Sequence, residues 1–295
     1  MGRIADALKR AEQERHATTG LRAPRADLGH AAIVDVPDDV NADAGCSPDV
    51  AFDRPTTLVQ GLSESLVPYY EKSSLITEQY RSLRTRLLSQ NPQYEHRILA
   101  ITSAVPKEGK SVTSLNLGCT LAEIRHLKVA VVDGDFRRGT LARMLNQPEG
   151  PGLAEVLRGE ATYAQVLRST PIPNLTFIPA GNIEDRSAAE LLASAACKPI
   201  FQRMRNEFHY TIVDTPPATT VTDVGIIGQY CHGVIVVVRL HRTDEGAARR
   251  TVRLLQVNNI PIMGCLLVGR EVSSGRHGYG YGYYRYYKNY EKAPR

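Results

Sequence analysis

No stretch of the 295-residue chain approaches the ~18 consecutive apolar residues that a membrane span requires. The longest candidate, near 234–238, has the length of a strand. A secretory signal is also missing, because the start Met1-Gly2-Arg3-Ile4-Ala5-Asp6-Ala7-Leu8-Lys9-Arg10 is charged throughout. Position 6 is Asp6 rather than Ser or Thr, which excludes the usual myristoylation signal. The five cysteines (Cys46, Cys119, Cys197, Cys231, Cys265) stand alone, with no C-x-x-C pair for metal or redox work, and read as small core residues of a reducing compartment. These absences lead us to expect a soluble, cytoplasmic protein.

What is present suits one α/β domain of about 200 residues plus tails: 42% of residues are hydrophobic and 23% charged. The net charge of +5 is uneven, with an acidic stretch over 31–71 and six Arg/Lys against two Glu from Arg270 onward, a tail charge of +4. Residues 1–16 read as a short helix with Ile4, Leu8 and Ala11 on one side. Residues 17–73, rich in Ala, Asp, Pro, Gly and Thr without a sustained period, read as a flexible linker. The folded domain is expected over 74–270 and a tyrosine-rich tail over 271–295.

Within the domain, a helix is predicted over 74–90. Ile76, Tyr80, Leu83 and Leu87 share one face, Glu78 and Arg81 lie opposite, and Arg84 is on the flank. Those charges have two readings, a solvated face with local pairs or a self-complementary strip between copies of the chain. Strands are predicted over 97–102, 128–133, 175–179, 210–214, 233–239 and 262–268, with helices over 112–124, 187–208, 221–230 and 244–257. Continuous β-branched runs alternating with helical segments specify a doubly wound, mostly parallel sheet.

The first predicted strand of that series runs into Ala104-Val105-Pro106-Lys107-Glu108-Gly109-Lys110-Ser111-Val112 and then a helix. Strand, Gly-Lys-Ser, helix is the context of a phosphate-binding loop. Backbone N–H groups and the positive helix start hold phosphate oxygens, the lysine adds charge, and the serine hydroxyl can ligate Mg²⁺. The pattern usually opens with glycine, and here that position is Ala104. Two later strands end in acids, Asp133 and Asp135 after Val129-Ala130-Val131-Val132, and Asp214 after Tyr210-Thr211-Ile212-Val213. Three carboxylates beside a phosphate loop suit ATP–Mg²⁺ chemistry, with one free to take the proton of an attacking group. Arg137 is a candidate to steady the transferring phosphate. Water and a protein hydroxyl remain open as that attacking group.

Seven of the 14 tyrosines fall in the last seventeen residues: Tyr279, Tyr281, Tyr283, Tyr284, Tyr286, Tyr287 and Tyr290. Such a Gly/Tyr/Arg tract can stack on single-stranded nucleic acid or self-associate. It can equally offer phosphate acceptors on an arm whose twenty or so residues reach at most roughly 65–70 Å.

Over 74–291 the chain resembles the bacterial tyrosine autokinases that control capsule and exopolysaccharide export. The resemblance is carried by Pro106-x-x-Gly109-Lys110-Ser111, by Val131-Val132-Asp133-x-Asp135-x-Arg137, by Ile212-Val213-Asp214-Thr215-Pro216-Pro217 and by the terminal tyrosines. Glu78-Gln79-Tyr80-Arg81-Ser82-Leu83-Arg84-Thr85, Pro179-Ala180-Gly181, Glu190-Leu191-Leu192 and Val237-Val238-Arg239 with Thr243 follow the same order. Arg3 to Arg10 is similar to starts seen in kinases of exosortase-linked clusters. The resemblance implies a P-loop NTPase architecture with a deviant Walker element, ATP and Mg²⁺ as ligands, and phosphoryl transfer to tyrosines of neighbouring subunits in a ring. It places Lys110 on the β/γ-phosphates, Ser111, Asp135 and Asp214 at the metal, and Asp133 at the incoming tyrosine. Pro106, Lys107, Glu108, Gly109 and Val112 would complete the nucleotide contact, and Glu78, Arg81 and Arg84 the subunit contact. It also implies a separate membrane-spanning activator that keeps the chain at the inner face of the plasma membrane; no nucleic-acid partner is expected. Septum- and chromosome-positioning switch ATPases, the alternative, carry a lysine where this chain has Val105. Two departures remain: Arg137-Arg138-Gly139 where Arg-Arg-Pro is common, and Val268-Gly269-Arg270 where relatives have an Asn near adenine, so no adenine contact is assigned.

Each phosphotyrosine adds roughly −1.5 to −2 charge at neutral pH, so two or three would cancel the tail's +4. Phosphorylated protein should therefore assemble less than Lys110→Met protein when sized by light scattering; equal sizes would count against this charge switch.

Overall fold

The computed structural model describes residues 32–33, 61–184, 187–220 and 222–269. Eight strands make one sheet: β1 (Ala32–Ile33), β2 (Arg97–Ser103), β3 (Val129–Asp133), β4 (Arg168–Ser169), β5 (Leu175–Ile178), β6 (Tyr210–Asp214), β7 (Gly233–Arg239) and β8 (Ile262–Val268). Their order is β1-β8-β7-β2-β6-β3-β5-β4, parallel throughout except for the short edge strand β4 against β5. The central strands read as unbroken apolar runs because both faces are covered. Leu99 and Ile101 of β2 belong to one hydrophobic cluster, Ile98 and Ala100 to the other. The doubly wound, mostly parallel sheet expected from the sequence is the observed architecture.

On the first face lie α1 (Val67–Tyr70), α2 (Leu75–Ser89) and α3 (Lys110–Ala122). Ser74 caps α2 by accepting from the Thr77 N–H, and Tyr80, Leu83 and Leu87 are buried as the helical period requires, with Ile76 partly buried against them. Between β3 and β5 come α4 (Thr140–Met144), α5 (Leu153–Arg158) and α6 (Tyr163–Val166), three short helices for which no sequence expectation was formed. The second face is covered mainly by α5, α6, α7 (Ala188–Leu192), α8 (Cys197–Glu207), α9 (Asp223–Ile227) and α10 (Glu245–Val257).

Two expectations need correction. The helix expected over 187–208 is two helices, α7 and α8, separated by residues 193–196. Pro199 has no N–H to donate backward and its ring would collide with a preceding turn, so a helix can carry it in the first turn but not in the middle. The linker expected over 17–73 also ends earlier than supposed. Leu62, Leu66, Val67 and Tyr70 are buried, the Tyr70 hydroxyl donates to Leu62 O at 3.1 Å, and Asn116 Nδ2 of α3 donates to Ser65 O at 2.8 Å. Ala32 and Ile33, inside the same stretch, pair in parallel with Leu266 and Leu267. The N-terminal helix over 1–16 and the tail over 271–295 lie outside the described residues.

The helix that follows the phosphate loop packs directly on the sheet through Gly118. A Cβ there would stand 2.4 Å from Val131 Cγ2. Gly118→Ala should therefore lose about 1–3 kcal/mol to overpacking, against the roughly 1 kcal/mol that alanine gains in helix propensity. In urea denaturation, Val131→Ala in the same chain should cost less than the two single losses added together; an undiminished stability of Gly118→Ala would refute the close approach.

Candidate active site

Strand order builds the site. β2 lies between β7 and β6, and β6 lies beside β3, so the loop leaving β2 meets the ends of β6 and β3 at one edge of the sheet. Register does the rest, since Asp133 is the direct neighbour of Asp214 and Asp214 of Ile101. Three segments far apart along the chain thus end together, at the carboxyl edge where parallel sheets take ligands.

The loop is braced from outside. Glu108 is fully buried, its Oε2 accepts from Val105 N at 2.9 Å, and its Oε1 accepts from the Thr243 hydroxyl. Thr243 Oγ1 in turn accepts from Arg239 N at 2.8 Å, Arg239 Nη1 donates to Lys107 O at 3.2 Å, and the Thr219 hydroxyl donates to Ala104 O. Lys107 (φ 64°) is exposed, and Gly109 (φ 91°) is the N-cap of α3. Glu108, expected among the nucleotide contacts, spends its carboxylate on the loop itself, and Pro106 has no N–H. What this stretch can offer a phosphate is the set of first-turn N–H groups of α3, which have no partner within the helix, at the positive end of its dipole. Ala104 keeps a negative φ, so the glycine usual at that position is not required.

Inside the cradle, Lys110 Nζ lies 3.5 Å from Asp135 Oδ2. The Ser111 hydroxyl donates to Asp214 Oδ2 at 2.6 Å and accepts from the Thr140 hydroxyl at 3.0 Å. Ser114 reaches Asp214 Oδ1 at 3.2 Å and Lys110 O at 2.9 Å. Asp133 is buried, with one oxygen accepting from Asp135 N and the other from Leu141 N, each at 3.1 Å. Arg137 Nε lies 3.7 Å from Asp223. Gly139 is left-handed (φ 49°) at the N-cap of α4, a conformation closed to proline, which accounts for the departure from Arg-Arg-Pro.

This edge is short of positive charge. Burial first, then the charge of Asp214, pushes the Asp133 carboxyl well above its ordinary range. Burial pushes Asp214 up to about 6, against the pull of Lys110 and the Ser111 hydrogen bond. A divalent cation beside Ser111, Asp135 and Asp214 would relieve that imbalance, so the residues fit Mg²⁺. Among the described residues no group of three or more His, Cys, Asp or Glu is arranged to cage a metal unaided. Mg²⁺ bound mainly through phosphate, water and one or two protein oxygens needs no such cage.

Glu78, Arg81 and Arg84 lie elsewhere, beside the far end of α3. Arg81 donates through Nε and Nη2 to Glu123 at 2.9 and 2.7 Å and also pairs with Glu78, while Arg84 Nη1 meets Glu123 at 2.7 Å and Thr120 O at 2.6 Å. The strip is closed on the chain's own Glu123, a partner the sequence pattern did not reveal. Thr140, Ser114, Thr219 and Asp223 were also missed; Thr243 was noted only as part of a motif.

The AAA domain family matches residues 96–259, more than half of the chain. EpsB of Ralstonia nicotianae, named as a tyrosine-protein kinase, is 32% identical over 211 residues, covering 71% of this chain and 28% of EpsB. The tyrosine-protein kinase CpsD of Streptococcus agalactiae serotype Ia is 31% identical, covering 69% of this chain and 86% of CpsD. The crystal structure of the chimerical protein CapA2B2 superposes with a TM-score of 0.65 at 27% identity, covering 70% of this chain and 91% of that one.

The chain belongs to the bacterial tyrosine-kinase family. Its fold is that of a P-loop NTPase. The matched stretch of this family member contains Lys110, Ser111, the three acids, Arg137 and the bracing Thr243, whereas Glu78, Arg81 and Arg84 precede it. The chain spans little more than a quarter of the length of EpsB.

Neutralising Asp214 should stabilise the protein without nucleotide. Folding lifts this carboxyl from an ordinary 3.8 to about 6, so the folded form holds a proton that the unfolded form has released. Stability is therefore lost as pH rises from about 4 through 6 and stays lost above it. Asp214→Asn can keep its contacts, accepting from Ser111 and donating to Ser114, whose proton, shared in the parent between Asp214 and Lys110 O, then goes to Lys110 O alone. Its advantage should be on the order of 2–3 kcal/mol at pH 8 and about half that at pH 5. Thermal melts at the two pH values check this, and a variant less stable than the parent at pH 8 would reverse the argument.

Proposed function

We propose that this chain transfers the γ-phosphate of ATP to tyrosine hydroxyls, with the C-terminal cluster Tyr279 to Tyr290 of a neighbouring copy as acceptors. The observation that supports it most is the convergence of Lys110, Ser111, Asp135 and Asp214 at the N-terminus of a buried helix, in a chain whose relatives include a tyrosine-protein kinase covered over most of its length.

In this reading Lys110 leaves Asp135 for the β- and γ-phosphate oxygens, joined by the first-turn N–H groups of α3. Ser111, with Asp135 and Asp214, would hold Mg²⁺, which would neutralise phosphate charge. Arg137 steadies the phosphoryl group in flight. The tyrosine oxygen forms its bond to phosphorus as the bond to the ADP oxygen breaks, and the phenol proton passes to a carboxylate. Asp133 is assigned that proton. Each of its oxygens has a lone pair beyond the one engaged by a backbone N–H, and its raised pKa makes it a stronger base than an ordinary aspartate.

The wider assignments follow the family. Glu78, Arg81 and Arg84 would form the contact between copies in a ring. A separate membrane-spanning partner would activate the kinase and hold it at the cytoplasmic face of the plasma membrane, where it would regulate capsule or exopolysaccharide synthesis and export. None of the helices among the described residues is long and apolar enough to cross a membrane.

Phosphosite and intact-mass measurement of the protein with Mg-ATP should find phosphate on the tail tyrosines. Lys110→Met should lower it by about a hundredfold or more, as expected when a transition-state cation is removed. ATP turnover with bare tyrosines, in the presence of the activator, would favour a switch ATPase instead.

A further inference from the structure

Asp223, the first residue of α9, is fully buried, and neither of its carboxylate oxygens accepts a hydrogen bond from the described residues. A buried charge in that condition is costly, and folds rarely keep one without a use for it. Its charged neighbours face it from the segment after β3. Arg137 Nε stands 3.7 Å from Oδ2, an ion-pair distance too long for a hydrogen bond, and Asp135 adds a second negative charge nearby. Val224 and Ile227 of α9 and Phe136 are apolar members of the same buried cluster and offer no polar atom from their side chains.

Arg137 is the complement of this arrangement. Its backbone N–H donates to Asp135 Oδ1 at 3.3 Å, which ties its base to the residue that Lys110 meets. Yet its side chain is 55% exposed while that of Asp223 is 1% exposed. A guanidinium can give Nε to one partner and keep terminal N–H groups for another, in a fixed plane that lysine cannot copy.

We infer that Asp223 is a positioning residue, holding Arg137 by Nε so that the terminal nitrogens face the outermost phosphate of a nucleoside triphosphate on the loop. The inference rests on reading that loop as an ATP site and deepens it, because it assigns the recognition of the third phosphate to a pair of residues. The helix start serves diphosphate and triphosphate alike, and Lys110, assigned to the β- and γ-phosphates, keeps its β contact with either. Arg137, starting two residues beyond Asp135, serves only the group that the diphosphate lacks. Without Asp223 the side chain would be free to turn into solvent, and the ordering of a long flexible arm would be charged against binding.

The test is calorimetric titration of the full chain with a Mg²⁺ complex of a non-hydrolysable ATP analogue and with Mg-ADP. The proteins are the parent, Arg137→Ala, Asp223→Asn and the double variant. The parent should prefer the triphosphate, and Arg137→Ala should lose roughly tenfold of that preference, the size of a charge-assisted hydrogen bond. Asp223→Asn should lose a similar factor while melting above the parent, because a buried amide costs less than a buried carboxylate. The double variant should lose no more than either single one. Asp223→Ser is read in the same way and carries the test if the asparagine variant folds poorly. A parental triphosphate preference in both neutral variants would overturn the inference, as would losses that multiply in the double variant. A parent that binds neither nucleotide would overturn the ATP reading itself, and tail phosphorylation enters neither outcome.

Discussion

Two carboxylates close adjacent parallel strands at the same register, and the protein keeps both inside its core. Asp133 and Asp214 are each fully buried, and their neighbour Asp135 nearly so, against the buried ammonium of Lys110. Burial raises the proton affinity of both strand-end acids, and the charge of Asp214 adds to it for Asp133 and that of Asp135 for Asp214. The rest of the site answers that strain. Asp133 is held by two backbone N–H groups, Asp214 by two serine hydroxyls, and Asp135 by the lysine. An edge this short of cations would be relieved by a divalent ion with its phosphate ligand, and the proposed ATP–Mg²⁺ site draws on that imbalance.

The loop owes its shape to residues that never need to touch a ligand. Glu108 and Thr243 tie its middle to the end of β7, Thr219 ties its start to the segment after β6, and Arg239 holds Lys107 O. With the side chains so occupied, the backbone N–H groups at the start of α3 are left open toward the cradle. That division is physically sensible, because an anion site made of backbone groups loses little conformational entropy on binding. The same helix carries Glu123 just beyond its other end, where it gathers Arg81 and Arg84. The phosphate site and the charged strip of α2 are therefore built on one rigid rod, about 20 Å long.

Much of this was legible in the residues. Strands β6, β7 and β8 were read to their ends because each is a continuous apolar run closed by an acid, an arginine or a turn. α2 is legible from the shared face of Ile76, Tyr80, Leu83 and Leu87, and the Ser74 hydroxyl fixes its start. The three helices between Thr140 and Val166 escape such a reading, being too short to show a period, and the chain around Leu62 to Tyr70 reads as linker because its apolar residues follow no sustained period. They are buried by the shape of the surface formed by α2 and α3, which no local pattern announces. Asp223 escaped for a related reason, since an acid opening a short helix looks like an ordinary first-turn residue until its burial is known.

What the sequence by itself determined is the chemistry: a strand leading into Gly109-Lys110-Ser111, acids closing two more strands, and tyrosines gathered at one end of the chain. These signals are local, set by residue type and spacing along a few turns of backbone. What only the tertiary structure decided is which side chains line the cradle and which ones brace it. Glu108 is next to the phosphate-loop glycine yet turns inward to Thr243, 135 residues away, and Asp223, distant in sequence, comes to face Arg137. Those outcomes depend on strand order and register, and a parallel sheet sets both by pairing segments that have no contact along the chain.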